Sequence, residues 1–193
     1  MKKTLIITGC AGFIGFHLIS RLLKKYNIIG IDKISKYYSK YYKIPSIGIR
    51  FFTCYGPWGR PDLSVSQITD SIIKRKQVVL LNNGKIGRDY TYIDDTIDGI
   101  IKCLNFKKKI NKDYHDIYNL GTGKTHSILK LSKIIGKILN IDFKIILKQH
   151  HPTDMIIAKS NMTKSIKDLK YNPKIKLENG LKKYLDWHLK YNF

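Results

Sequence analysis

Acidic residues are scarce in this chain: 14 Asp and Glu stand against 36 Lys and Arg over 193 residues, a formal net charge of +22. Arginine is scarce as well, confined to positions 21, 50, 60, 75 and 88. A nucleic-acid surface of this charge would gather its basic residues into a stripe or patch. Lysine is instead spread along the whole chain among plentiful Ile, Asn and Tyr, the residue set of A+T-rich codons, so no nucleic-acid partner is expected. Cysteine is limited to Cys10, Cys54 and Cys103, which are odd in number and far apart. That spacing excludes a disulfide framework and a cysteine zinc site and suits a reducing cytoplasm. The six histidines show no metal-ligand spacing, so no metal is expected. No stretch reaches the roughly 18 apolar residues of a transmembrane helix, and no membrane partner is expected. Lys2 and Lys3 before the apolar run Leu5 to Phe16 have the outline of an export signal. Three regularly spaced glycines and the amphipathic continuation through His17 and Arg21 argue against it.

What is present is a 43% hydrophobic chain with alternating strand and helix signals, enough to bury a core. "TLIIT" at residues 4–8 reads as a buried strand running into glycine, followed by a helix with Phe13, Ile14, Leu18, Ile19, Leu22 and Leu23 at helical spacing. "NIIGID" is a second buried strand ending in Asp32, and "PSIGIRFF" resumes as a third after a Tyr/Lys/Ser-rich interval. Further on, "QVVLLNNG" reads as a strand entering an Asn-Asn-Gly turn, "RDYTYI" as a short extended piece, "DDTIDGIIKCLNF" as a helix with an acidic start, and "HDIYNLG" as a strand. Residues 127–140 place Ile128, Leu131, Ile134, Ile135, Ile138 and Leu139 on one helical face. "FKIILK" is a strand and "LENGLKKYLDWHLKY" a closing helix. There is no internal repeat. The fold class expected is α/β, a truncated Rossmann-like parallel sheet (residues 1–62) with a smaller α/β part (residues 63–193).

"GCAGFIG" puts Gly9, Gly12 and Gly15 directly between a strand and a helix. Glycine there permits a tight turn, lets backbone approach a pyrophosphate without a Cβ in the way, and allows close helix–strand packing. The helix N-terminus offers free N–H groups to the phosphates. Asp32, at the end of the next strand, stands where a carboxylate accepts hydrogen bonds from an adenosine ribose and repels a 2′-phosphate, which favours NAD over NADP. "GTGKT" has the look of a P-loop ending, but Tyr118 stands where a Walker motif requires glycine, so it reads as a strand–helix turn.

These motifs, together with "RFFTCYGPWGRPD", "GKIGRDYTYIDD" and "IYNLGTG", resemble the extended short-chain dehydrogenase/reductase superfamily, and within it the NAD-dependent nucleotide-sugar epimerases, UDP-glucuronate 4-epimerases above all. The resemblance implies NAD held by Gly9, Gly12, Phe13, Ile14, Gly15 and Asp32. It implies a UDP-sugar, of UDP-glucuronate or UDP-glucose type, met by Phe51, Phe52, Thr53, Arg88 and Asp154, with Arg88 on the diphosphate. An ion pair of Arg88 with Asp89 or Asp94 is the structural alternative. A homodimer is a further expectation. The family carries several more strands and helices between the Asp-terminated strand and the "RFFT" strand, including a Tyr-x-x-x-Lys pair; here Lys33 to Ile44 fill that interval. None of the 13 tyrosines has Lys four residues on, so no catalytic residue is assigned. The chain reads as an internally deleted epimerase impaired in catalysis, or as a non-enzymatic nucleotide-sugar or NAD binder or the partner of an intact paralogue. The interval spans roughly 40 Å if extended, so the "IGIRFF" strand either meets the free edge of the first strand or leaves it open.

Overall fold

The computed structural model describes residues 4–7, 13–22, 27–30, 46–106, 115–149 and 156–191, which fall into two compact units. The first takes residues from 1–51, 93–120 and 162–172; the second from 52–92, 121–161 and 173–193.

In the first unit, β1 (Thr4–Ile7) and β2 (Asn27–Gly30) pair in parallel from Thr4 opposite Asn27 to Ile7 opposite Gly30, with α1 (Phe13–Leu22) between them in sequence. A parallel pair needs such a crossover, and the helical spacing of apolar residues in "FIGFHLISRL" supplies it. β3 (Ser46–Phe51) pairs in parallel with β8 (His115–Leu120) over all six residues. Among the described residues these remain two separate two-stranded sheets, and β3 takes β8 as its neighbour, not β1. α3 (Ile93–Leu104) opens on Asp94 and Asp95, whose charges suit the positive end of the helix dipole. It buries Ile93, Ile97, Ile100 and Cys103. Gly99 is required on that face, because a Cβ there would lie 2.8 Å from both Leu120 methyls and 2.9 Å from the Tyr171 ring. Arg21 of α1 reaches Asp94 at 3.0 Å and Asp98 at 2.6 Å, one turn apart on α3. All three side chains are well exposed, so the bridge contributes at most about 1 kcal/mol. α5 (Thr163–Leu169) packs on β8, where Ser165 Oγ donates to the Asn119 carbonyl at 2.6 Å.

Among the described residues the second unit holds three small sheets. β4 (Thr53–Tyr55) is parallel to β7 (Tyr90–Tyr92), and β5 (Val78–Leu81) is parallel to β10 (Ile145–Lys148). β6 (Gly87–Arg88) lies between β11 (Ile157–Ala158), to which it is parallel, and β9 (His126–Ser127), to which it is antiparallel. The expected Asn-Asn-Gly turn follows β5, with Asn82, Asn83 and Gly84 all at positive φ, a conformation these residue types tolerate best. α2 (Ser64–Ile73) buries Val65, Ile68, Thr69 and Ile72. α4 (Ile128–Leu139) buries Leu131 and Ile135 completely, starts on Ser127, whose hydroxyl accepts from Lys130 N at 3.1 Å, and stops at Asn140 in the left-handed conformation. α6 (Leu177–Tyr191) inserts Leu181, Tyr184 and Leu185. Its Gly180 admits Tyr55, whose hydroxyl donates to the Leu177 carbonyl at 3.2 Å.

Candidate functional site

Three groups of residues singled out by the sequence have distinct structural settings. At the first, β1 ends at Ile7 and α1 begins at Phe13, so the five residues Thr8 to Gly12 join the carboxyl end of a parallel strand to a helix N-terminus. Phe13 and Ile14 are half-buried, Phe13 sits edge-on to His17 with ring centroids 5.2 Å apart, and Gly15 lies within the first turn. That turn carries no acidic side chain of its own, which suits an anion at the positive end of the helix. This arrangement fits the pyrophosphate of a dinucleotide. Gly9, Gly12 and Asp32 lie outside the described residues.

At the second, Phe51 ends β3 with 42% of its surface exposed, whereas Phe52 and Thr53 are half-buried. Thr53 N donates to the Asp89 carbonyl at 3.0 Å, which ties the start of β4 to the segment after β6. In the loop that follows, Trp58 adopts φ 62°, a left-handed backbone that costs a bulky residue about 1–3 kcal/mol. Arg60 forks onto Asp62, with Nε 3.0 Å from one carboxylate oxygen, and this bonding holds the Asp62 carboxyl below its ordinary value.

The third centres on β6. Arg88 is half-buried, and its Nη1 donates to the Gly87 carbonyl at 3.0 Å and the Ile156 carbonyl at 3.4 Å. Its partners across the sheet are His126 on β9 and Ala158 on β11. Burial, followed by the charge of Lys130, holds His126 below the usual imidazole value; Lys124 acts in the same direction, and Glu178 and Asp89 act against it.

The residue sequence reasoning missed is Asp89. It is fully buried, and one carboxylate oxygen accepts from Thr122 N at 2.9 Å and Thr122 Oγ1 at 2.6 Å. The other accepts from Gly123 N at 2.9 Å, from Ser160 N at 3.3 Å and from the Ser160 hydroxyl. The Gly-Thr-Gly stretch is therefore the expected turn, and its N–H groups converge on a side chain of the chain itself. Gly121 is needed beside it, because a Cβ there would overlap Ser160 and lie 2.8 Å from Asp89 Oδ2. Asp154 lies outside the described residues. The Cys54 and Cys103 thiols are both buried, and burial pushes Cys103 up to about 12. Among the described residues no group of three or more His, Cys, Asp or Glu could hold a metal ion.

Parallel strand pairs with helical crossovers define the chain as a Rossmann-type α/β protein, and solved structures agree. A mutant of UDP-glucuronic acid 4-epimerase from Bacillus cereus, in complex with UDP-4-deoxy-4-fluoro-glucuronic acid and NAD, superimposes with a TM-score of 0.85 at 19% identity, over 97% of this chain and 99% of that one. The NAD dependent epimerase/dehydratase family profile matches residues 29–121. UDP-glucuronate 4-epimerase 5 of Arabidopsis thaliana is 34% identical over 170 residues, 82% of this chain and 39% of that protein. An uncharacterized protein of Methanocaldococcus jannaschii, MJ1055, is 36% identical over 153 residues, 79% of this chain and 45% of that one. Residues 29–121 thus carry an NAD-dependent epimerase/dehydratase family domain, and the chain's 193 residues fit an internal deletion. The chain spans less than half the length of these two curated relatives. No helix among the described residues is long and apolar enough to cross a membrane.

Proposed function

We propose that this chain is a nucleotide-sugar epimerase-family protein that binds a UDP-sugar and has lost turnover. The observation that carries the reading is the absence, from a chain otherwise rich in the family's motifs, of any Tyr with Lys four residues on. In the intact chemistry such a tyrosine takes the proton from the sugar hydroxyl as hydride leaves C4. A positioned general base contributes on the order of 10²–10⁴-fold, and the sequence lacks that pair.

NAD, when bound, supplies the hydride acceptor for oxidation at C4. Gly9, Gly12, Phe13, Ile14 and Gly15 would hold its pyrophosphate at the α1 N-terminus, and Asp32 its adenosine ribose. With only β1 and β2 paired there among the described residues, this address covers the adenosine half and NAD binding is weak. Arg88 binds the diphosphate of the UDP-sugar, supported by its half-buried setting and by the forked, permanently charged donors of its guanidinium. Phe51, Phe52, Thr53 and Asp154 contribute to the sugar and uridine contacts. UDP-glucuronate is favoured, because 4-epimerases of that substrate are among the most similar relatives. A non-enzymatic binding role, alone, as a homodimer or beside an intact paralogue in the cytoplasm, follows from the same missing pair.

Titration calorimetry of the full chain with UDP tests the binding half. A saturable site weakened at least about tenfold by Arg88→Ala is expected. Undetectable UDP binding, or binding indifferent to Arg88→Ala, contradicts it.

A further inference from the structure

The three-stranded sheet that carries Arg88 is minimal, since β11, β6 and β9 each contribute two residues. Ladders this short contain too few hydrogen bonds to fix their own register. The residue immediately after β6 is Asp89. Its carboxylate takes hydrogen bonds from Thr122 and Gly123, which precede β9, and from Ser160, two residues beyond β11. One buried group thus anchors both flanking strands to the strand between them.

Register at β11 decides where the Arg88 guanidinium points. The Ile156 carbonyl accepts from Gly87 N at 2.8 Å and from Arg88 Nη1 at 3.4 Å, so it is both the first rung of the β11–β6 ladder and an orienting acceptor for the arginine. Opposite Arg88 on β11 stands Ala158. A shift of one residue would place Lys159 or Ile157 there and remove the Ile156 carbonyl from reach.

We propose that Asp89, acting through Ser160 and the register of β11, is a positioning residue that presents Arg88 to the diphosphate of a sugar nucleotide. The inference rests on the reading of Arg88 as the diphosphate ligand. Ser160 and Asp89 do not touch the ligand in this scheme; they keep the guanidinium aimed at it. Positioning of this kind acts on the phosphate contacts and leaves contacts to the uridine moiety unaltered.

The test is a double-mutant cycle read by calorimetry on the full chain, with UDP and uridine as ligands for the unsubstituted protein, Ser160→Ala, Arg88→Ala and the double variant. Ser160→Ala should weaken UDP binding about three- to tenfold, leave uridine binding unchanged, and have no further effect once Arg88 is alanine. Equal weakening of UDP and uridine, additive effects of the two substitutions, or no effect of Ser160→Ala would overturn the positioning role while UDP binding through Arg88 stands. Failure of the unsubstituted protein to bind UDP refutes the Arg88 reading and this inference with it. Should Ser160→Ala not fold, Thr122→Val, which deletes the hydroxyl donor on the β9 side, replaces it under the same criteria, with Thr122→Ser expected to restore the UDP affinity.

Discussion

Asp89→Asn changes one oxygen to an amide nitrogen at the centre of the most densely bonded side chain described here. The carboxylate accepts on both oxygens: Thr122 N and Oγ1 at 2.9 and 2.6 Å on one, and Gly123 N at 2.9 Å, Ser160 N at 3.3 Å and the Ser160 hydroxyl on the other. An asparagine can serve only one set. With its carbonyl toward Thr122, its NH2 faces the N–H groups of Gly123 and Ser160; the Ser160 hydroxyl can rotate to accept and still takes Gly123 N at 3.0 Å, but Ser160 N loses its acceptor. A buried donor left unpaired costs about 1–3 kcal/mol, and losing the charge weakens the bonds that remain. The sum is about 2–4 kcal/mol, a large part of the 5–15 kcal/mol by which domains are stable. Urea denaturation followed by tryptophan fluorescence measures it well, because both tryptophans, Trp58 and Trp187, belong to the second unit. The midpoint should fall sharply with little change in slope. A loss below about 1 kcal/mol would show that the turn is held by its own backbone and would sink the reasoning.

Other expectations follow from burial and charge. His126 is held below its reference value of 6.5, so the unfolded chain binds this proton more readily. Its contribution is therefore present above about pH 6.5 and lost as pH falls through the window beneath it; His126→Gln should flatten stability between about pH 7 and pH 5, and an unchanged profile counts against the assignment. Cys103, raised to about 12, should resist iodoacetamide at pH 8 in the native chain and react once urea is added; rapid native alkylation would contradict its burial. Amides of Thr4–Ile7, paired only with β2 among the described residues, should exchange faster than those of Ile128–Leu139, and equal protection would mean that β1 has gained a second neighbour.

Much of this fold was legible because local pattern and tertiary role agree. The apolar face of residues 127–140 became α4, with Leu131 and Ile135 fully buried, and the Asn-Asn-Gly signal became three successive left-handed residues. α5 was not anticipated. Seven residues with lysines at two of them, "TKSIKDL", give no helical face by periodicity, and it is the Ser165 bond to Asn119 and the burial of Leu169 that hold it. Nor did the sequence show that "IGIRFF" pairs with "HDIYNL", since two short apolar runs far apart in the chain carry no mark of their register. At the candidate site, Arg88 was singled out by motif, whereas Asp89 was passed over as an ion-pair partner. Its signal was indirect: a Gly-Thr-Gly turn exposes N–H groups that need an acceptor, and only the fold brings Thr122 and Ser160, 33 and 71 residues away, to the same carboxylate.

The central claim is that the family's binding elements survive here without its acid–base chemistry. Chromatographic analysis of UDP-glucuronate after prolonged incubation with the purified chain and added NAD tests it most directly. The account predicts that the sugar nucleotide is recovered unchanged at C4. Progress toward an equilibrium mixture with UDP-galacturonate, in a preparation free of host epimerase, would contradict it.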